Sequence, residues 1–97
     1  MRAYFTRQAE IDLEGIGDYI ALDNSERAVS FIGEIRQHCE RIADGPVRYV
    51  ARPELGDTVR ICAHGNYLSS FEPFDEGALI LRVIHGARNL SGFFGNT

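Results

Sequence analysis

Every basic side chain in this sequence is arginine, and lysine is absent. Any mechanism that needs a lysine side chain is therefore excluded, whereas bidentate recognition of carboxylate or phosphate is retained. Arg60 and Arg82 each stand in an apolar, strand-like run, His85 closes the second of these runs, and Glu54 lies in a polar stretch upstream. Together they offer two anion-binding groups, an acid or base, and a second carboxylate. Each also has a plainer reading. The arginines would pair with Glu72 or another carboxylate across strands, and His85 would be a hydrogen-bonded strand-end residue. His38, within a helical pattern, and His64, before a turn, are expected to face solvent without a role. No spacing of His, Cys or carboxylates argues for a metal, no Gly-rich loop opens a helix to cradle phosphate, and no cofactor is expected. Cys39 and Cys62 sit in apolar surroundings and read as small buried hydrophobes in a reducing compartment, not as a disulfide.

The elements that must position these groups follow from the periodicity. Arg2 to Phe5 is short and aromatic, and Thr6 behind it is a helix cap, so an edge strand should run directly into a helix. From Gln8 onward Ala9, Leu13, Ile16 and Ile20 form one helical stripe, with Glu10, Asp12 and Glu14 near the positive end of the helix dipole. Gly15 and Gly17 weaken this helix by up to about 1 kcal/mol each relative to alanine and suggest close packing there. Asp23-Asn24-Ser25 supplies a turn and a cap. A second helix is expected from about residue 26 to 43, burying Ala28, Phe31, Ile32, Ile35, Cys39 and Ile42. Gly45, as a left-handed residue, and then Pro46 would stop it.

Beyond residue 57 the period changes to that of strands, at 58–63, 67–72 and 78–85, with turns at Gly65-Asn66 and Asp75-Glu76-Gly77. The last strand is apolar nearly throughout, as a central strand buried on both sides should be. The fold class is α+β, in the order βααβββ, with an antiparallel helical hairpin on one face of an antiparallel sheet. The first strand is expected to pair away from its sequence neighbours. Alternation sets Arg60 against Val59 and Ile61, and Arg82 against Leu81 and Val83. Both arginines should then lie on the sheet face away from the helices, free for other macromolecules.

Ninety-seven residues make one domain, 1–97, and an apolar fraction of 44% with 25% charged residues is ordinary globular composition. A net charge of −4 argues against generic binding to nucleic acid backbone. The charge is uneven: residues 78–97 hold Arg82 and Arg88 and no acid. No apolar segment reaches the roughly 18 residues of a membrane span, and the N-terminus has no signal-like apolar region. A cytoplasmic protein is expected.

The ordered set of motifs resembles the ParE branch of the RelE/ParE toxins. It comprises the capped helix ending in Asp18-Tyr19-Ile20, Ser25-Glu26-Arg27-Ala28 opening a helix that reaches Phe31-Ile32, and Cys39 and Ile42 near its end. Gly45-Pro46, Arg52-Pro53-Glu54-Leu55, Val59-Arg60 and Gly65-Asn66-Tyr67 follow. The strongest part is Leu81-Arg82-Val83-Ile84-His85-Gly86-Ala87-Arg88-Asn89. The likeness spans about residues 3–92.

This resemblance implies the toxic member of a type II toxin–antitoxin pair, with plasmid stabilisation as its setting. ParE proteins poison DNA gyrase, and a ParD-like antitoxin wraps an otherwise disordered segment around them. The neighbouring RelE branch cleaves messenger RNA on the ribosome, and on that alternative Arg60, Arg82, His85 and Glu54 would be catalytic. A non-toxic, antitoxin-binding member is a further alternative. Proteins of this superfamily are commonly basic, and this one is acidic, which points to a protein target or a local arginine patch. The target-facing residues would be Arg60, Arg82, Arg88, Asn89, Phe93 and Phe94. The two phenylalanines would otherwise be core cover. Tyr19, Phe31 and Phe74 are candidates for antitoxin contact in a hetero-oligomer, and neither sequence-specific nucleic acid binding nor a membrane is expected.

Overall fold

Thr6 does what its position after a strand predicts. Its hydroxyl oxygen accepts from the Ala9 N–H at 3.0 Å, and the same hydroxyl donates to the Leu81 carbonyl at 2.9 Å. Strand β1 (Arg2–Phe5) thus passes without a loop into helix α1 (Arg7–Ala21), and the junction is fastened to the sheet. Asn24 caps α2 (Ser25–Ala43) by accepting from the Arg27 N–H at 2.9 Å. The computed structural model describes residues 1–86, so Arg88, Asn89, Phe93 and Phe94 lie outside the described residues.

Strands β2 (Val50–Ala51), β3 (Arg60–His64), β4 (Tyr67–Phe74) and β5 (Gly77–His85) follow, and the sheet order is β1-β5-β4-β3-β2. The α+β order of a strand, two helices and a meander holds, and the first strand does pair away from its sequence neighbours, on β5. Two details differ from expectation. A two-residue strand, β2, lengthens the meander, and β1 runs parallel to β5, so the sheet is mixed. Gly65 takes φ 58° in the two-residue turn between β3 and β4, a conformation open to glycine at little cost. Gly77, at φ 138°, lies so close to the backbone of Arg2 that a Cβ there would collide with it.

Both helices lay their stripes on one sheet face. Leu13 and Ile16 from α1 and Ile35, Cys39 and Ile42 from α2 pack with Cys62, Phe71, Ile80 and Val83. Each such large aliphatic side chain contributes roughly 1.5–3 kcal/mol by leaving water. Gly17 does admit close packing, since a Cβ there would meet Ile32 at 3.5 Å, but Gly15 faces open space. Gly45 is not left-handed: its φ is −158°, and α2 ends instead through bonds from the Asp44 and Gly45 N–H groups to Arg41 and Ile42.

The register reassigns the sheet faces. Ser70 pairs with Arg82 while Phe71 pairs with Ile80, so Leu81 is the extra residue of a bulge. A bulge interrupts the alternation, placing Ile80 and Val83 on the helix side with Leu81 and Arg82 opposite. Arg60 pairs with buried Phe71 and alternates with Cys62 and His64, so it stands on the helix side, contrary to expectation. Strict alternation from Val59 and Ile61 cannot reveal which of two apolar sets meets the helices. The opposite face is not open throughout either. Ser70 and Ile84 are buried on it, whereas Leu79, Leu81 and Arg82 of β5 are half-buried there, so β5 is covered on that side only in part.

Candidate functional site

Asp12 organises the one stretch of β5 that β1 does not pair. Its carboxylate accepts from Arg82 Nε at 2.8 Å, from a second Arg82 nitrogen at 3.1 Å and from the Val83 N–H at 3.0 Å. Arg82 therefore leaves the far face of the sheet and turns around its edge to α1. Burial alone would raise the Asp12 carboxyl, but Arg82, the Val83 N–H and Gln8 together hold it below its ordinary value. The plainer reading of Arg82, an ion pair, is what the fold adopts, with a helix carboxylate in place of one across the strands.

The remaining residues of the enzymatic alternative are dispersed. Arg60 donates to the Tyr49 carbonyl at 2.7 Å. It shares its end of the sheet with Phe71, whereas exposed His85 stands in the row of Tyr67 and His64 at the other end. Four residues of strand and two strand spacings separate those rows, on the order of 13 Å along and 10 Å across. Glu54 is exposed beyond β2, and its own backbone N–H and then Arg52 hold its carboxyl below the usual range. Among the described residues, Arg60, Arg82, His85 and Glu54 do not gather around one reacting atom.

What the fold does build is a pair of grooves flanking α1. The first, of about 820 Å³, runs between α1 and α2, with Leu13, Ala28, Val29 and Ile32 in its apolar lining and Arg7, Glu10, Glu14, Asp18 and Arg36 as charged groups. Arg36 pairs with Glu10 at 2.5 Å and lies over the Phe5 ring, 5.1 Å from its centroid. The second groove, about 680 Å³, lies between α1 and the edge of β5 beyond its pairing with β1, and includes Ile16, Tyr19, Tyr67, Val83 and His85. Ile11 lines both and joins them into one band.

Of the three candidates for partner contact, Tyr19 is 71% exposed in the second groove. Phe31 is half-buried against Tyr67, which lines that same groove. Phe74 packs on Tyr4 at the opposite side of the sheet and does not join them. Ile11 and Val29, 48% and 76% exposed, were not singled out by the periodicity because they fall outside the buried stripes. That was also their signal: a β-branched apolar residue on the polar side of a helix has no core to serve.

Two histidines expected in solvent lie elsewhere. His64 is buried, with its Nδ1 2.6 Å from His38 Nδ1 and its Nε2 2.6 Å from Ser69 Oγ. Burial, then His38 and Arg41, push His64 down to about 4, and burial and then Arg41 lower His38. Cys39 and Cys62 are buried free thiols, as anticipated. Burial, above all, pushes the Cys39 thiol up to about 12.

The comparisons with known proteins agree with this architecture. No curated protein matches the sequence. Among solved structures, the fold is similar to a chain of one titled "Chromosomal ParDE TA system from P. aeruginosa", with a TM-score of 0.73 and 24% identity, covering 88% of this chain and 95% of that one. The family description "ParE toxin of type II toxin-antitoxin system, parDE" matches residues 3–90. With a strand, a helical hairpin and a meander in that order, and the family pattern running nearly end to end, the chain belongs to the ParE toxin family of type II toxin–antitoxin systems.

Proposed function

We propose that this chain is a toxin that inhibits DNA gyrase by binding it, and that a ParD-like antitoxin neutralises it by filling the grooves along α1. The observation that carries the antitoxin half is the apolar band around Ile11. A monomer gains nothing from leaving Ile11, Tyr19 and Val29 in water, whereas an amphipathic helix laid into such a groove buries them. The acidic rim of Glu14 and Asp18 favours basic residues on the incoming segment. A partner that orders on binding can cover both grooves at once, which suits continuous neutralisation.

The target half rests on the family and on charge. At a net charge of −4 the chain lacks the bulk field that grips nucleic acid, so a protein target is favoured. Arg60 and Arg82 are engaged with Tyr49 and Asp12, so target contact is assigned chiefly to Arg88, Asn89, Phe93 and Phe94. Aromatic anchors beside arginine are what interface hot spots use. The test is purified protein with gyrase and supercoiled plasmid. Trapped, cleaved DNA that disappears on adding antitoxin is the expected result. Unimpaired supercoiling, with codon-positioned cuts in translated messages instead, would replace gyrase with RNA as the target.

A further inference from the structure

We propose that His38, Cys62 and His64 form a binding site for a borderline divalent metal ion of the Zn²⁺ class, fastening α2 to β3. The three side chains come from two elements packed against each other. Cys62 and His64 are two apart on the helix-facing side of β3, and His38 stands above them on α2. One ligand atom from each lies within 4.8 Å of the others. His38 bridges the set, its Nε2 3.5 Å from Cys62 Sγ and its Nδ1 2.6 Å from His64 Nδ1.

The donor set selects the ion. Two imidazole nitrogens and a thiolate suit zinc and its neighbours and reject magnesium and calcium, which take oxygen. Two ring nitrogens each at ~2.0–2.1 Å from a tetrahedral ion stand roughly 3.3 Å apart. The His38–His64 contact must therefore open by about 0.7 Å, which the half-exposed His38 ring accommodates by a small rotation. Ser69 Oγ, 2.6 Å from His64 Nε2, supplies the outer hydrogen bond that holds this ring in the tautomer with Nδ1 free. Burial, above all, lowers both imidazoles below their ordinary value. Arg41 is the nearby cation that opposes a second positive charge. The Cys62 thiol releases its proton to solvent on binding, and the thiolate offsets that charge. Solvent would reach the fourth position past His38, the one half-buried member of an otherwise buried set.

The test uses the full chain, stripped with a chelator and titrated with Co²⁺ and then Zn²⁺. One equivalent of Co²⁺ should give visible bands of tetrahedral intensity and a near-ultraviolet thiolate charge-transfer band, and Zn²⁺ should displace it and raise the Tm. His38→Ala, at a half-exposed position where folding should be retained, should weaken Zn²⁺ binding at least about tenfold, and Cys62→Ser should abolish the charge-transfer band. His85→Ala should bind as the unaltered chain does. The proposal is overturned by a weak octahedral Co²⁺ spectrum without charge transfer, by Zn²⁺ binding that His38→Ala leaves unchanged, or by no Tm shift. Should Cys62→Ser fail to fold, the His38 variant and the spectrum of the unaltered chain still decide.

Discussion

A carboxylate on α1 fastens that helix to β5 beyond the stretch that β1 pairs. Asp12 is nearly buried and takes four hydrogen bonds, two from Arg82, one from Gln8 and one from an N–H of β5 that would otherwise be unpaired. Asp12→Asn should cost about 2–3 kcal/mol, since the change removes the charge from a partly buried, hydrogen-bonded pair. Denaturant unfolding at neutral pH measures it. The pH dependence has a definite sign. The folded carboxyl lies below its ordinary 3.8, so its contribution is complete above that value and is lost as pH falls through the lower folded value. The gap between the unaltered chain and Asp12→Asn should therefore be flat near neutrality and close below about pH 4. A constant gap down to pH 2 would contradict the pairing.

Among the elements, the junction of β1 with β5 is the least forgiving. Gly77 has positive φ and abuts the backbone of Arg2, so Gly77→Ala meets both strain and collision. The expected loss is about 2–4 kcal/mol, with a lowered Tm and unchanged behaviour at the exposed Gly15, where alanine should be neutral or stabilising. The grooves make the complementary prediction. Ile11→Glu should leave the Tm within about a degree or two of the unaltered chain, because the side chain is half exposed. Its affinity for the antitoxin should nevertheless fall at least about tenfold, a change of roughly 1.4 kcal/mol in titration calorimetry. Val29→Glu tests the α2 wall in the same way, and undiminished binding by both variants would remove the antitoxin from these grooves.

At the scale of the whole molecule, antitoxin and target are assigned to different stretches of the chain, the grooves along α1 and residues 88–94, and that separation is itself testable. Truncation before Phe93 should spare folding and antitoxin binding while abolishing inhibition of gyrase. Circular dichroism, calorimetry with the antitoxin and a supercoiling assay read the three separately. A truncated chain that unfolds would mean instead that Phe93 and Phe94 cover the core. The acidic balance adds a further expectation: gyrase inhibition should not require the steep salt dependence of a protein that grips the DNA backbone.

Local patterning determined the elements, because hydrophobic period and capping act within a few residues. Thr6 as a cap, the stripes Ala9-Leu13-Ile16 and Ile35-Cys39-Ile42, and the turn at Gly65-Asn66 all lie where neighbouring residues alone require them, and the cap expected within Asp23-Asn24-Ser25 is Asn24. What sequence could not decide was anything set by register between distant segments. One extra residue at Leu81 resets the alternation of β5 and leaves Arg82 on the face away from the helices, from which its side chain turns round the sheet edge to Asp12, and the pairing of Arg60 with Phe71 moves that arginine to the helix side. The same packing of α2 on β3 draws His38, Cys62 and His64 together from positions that looked idle. Side-chain chemistry is written in the sequence, but which side chains meet depends on contacts between residues up to 75 positions apart, and those only the packed fold selects.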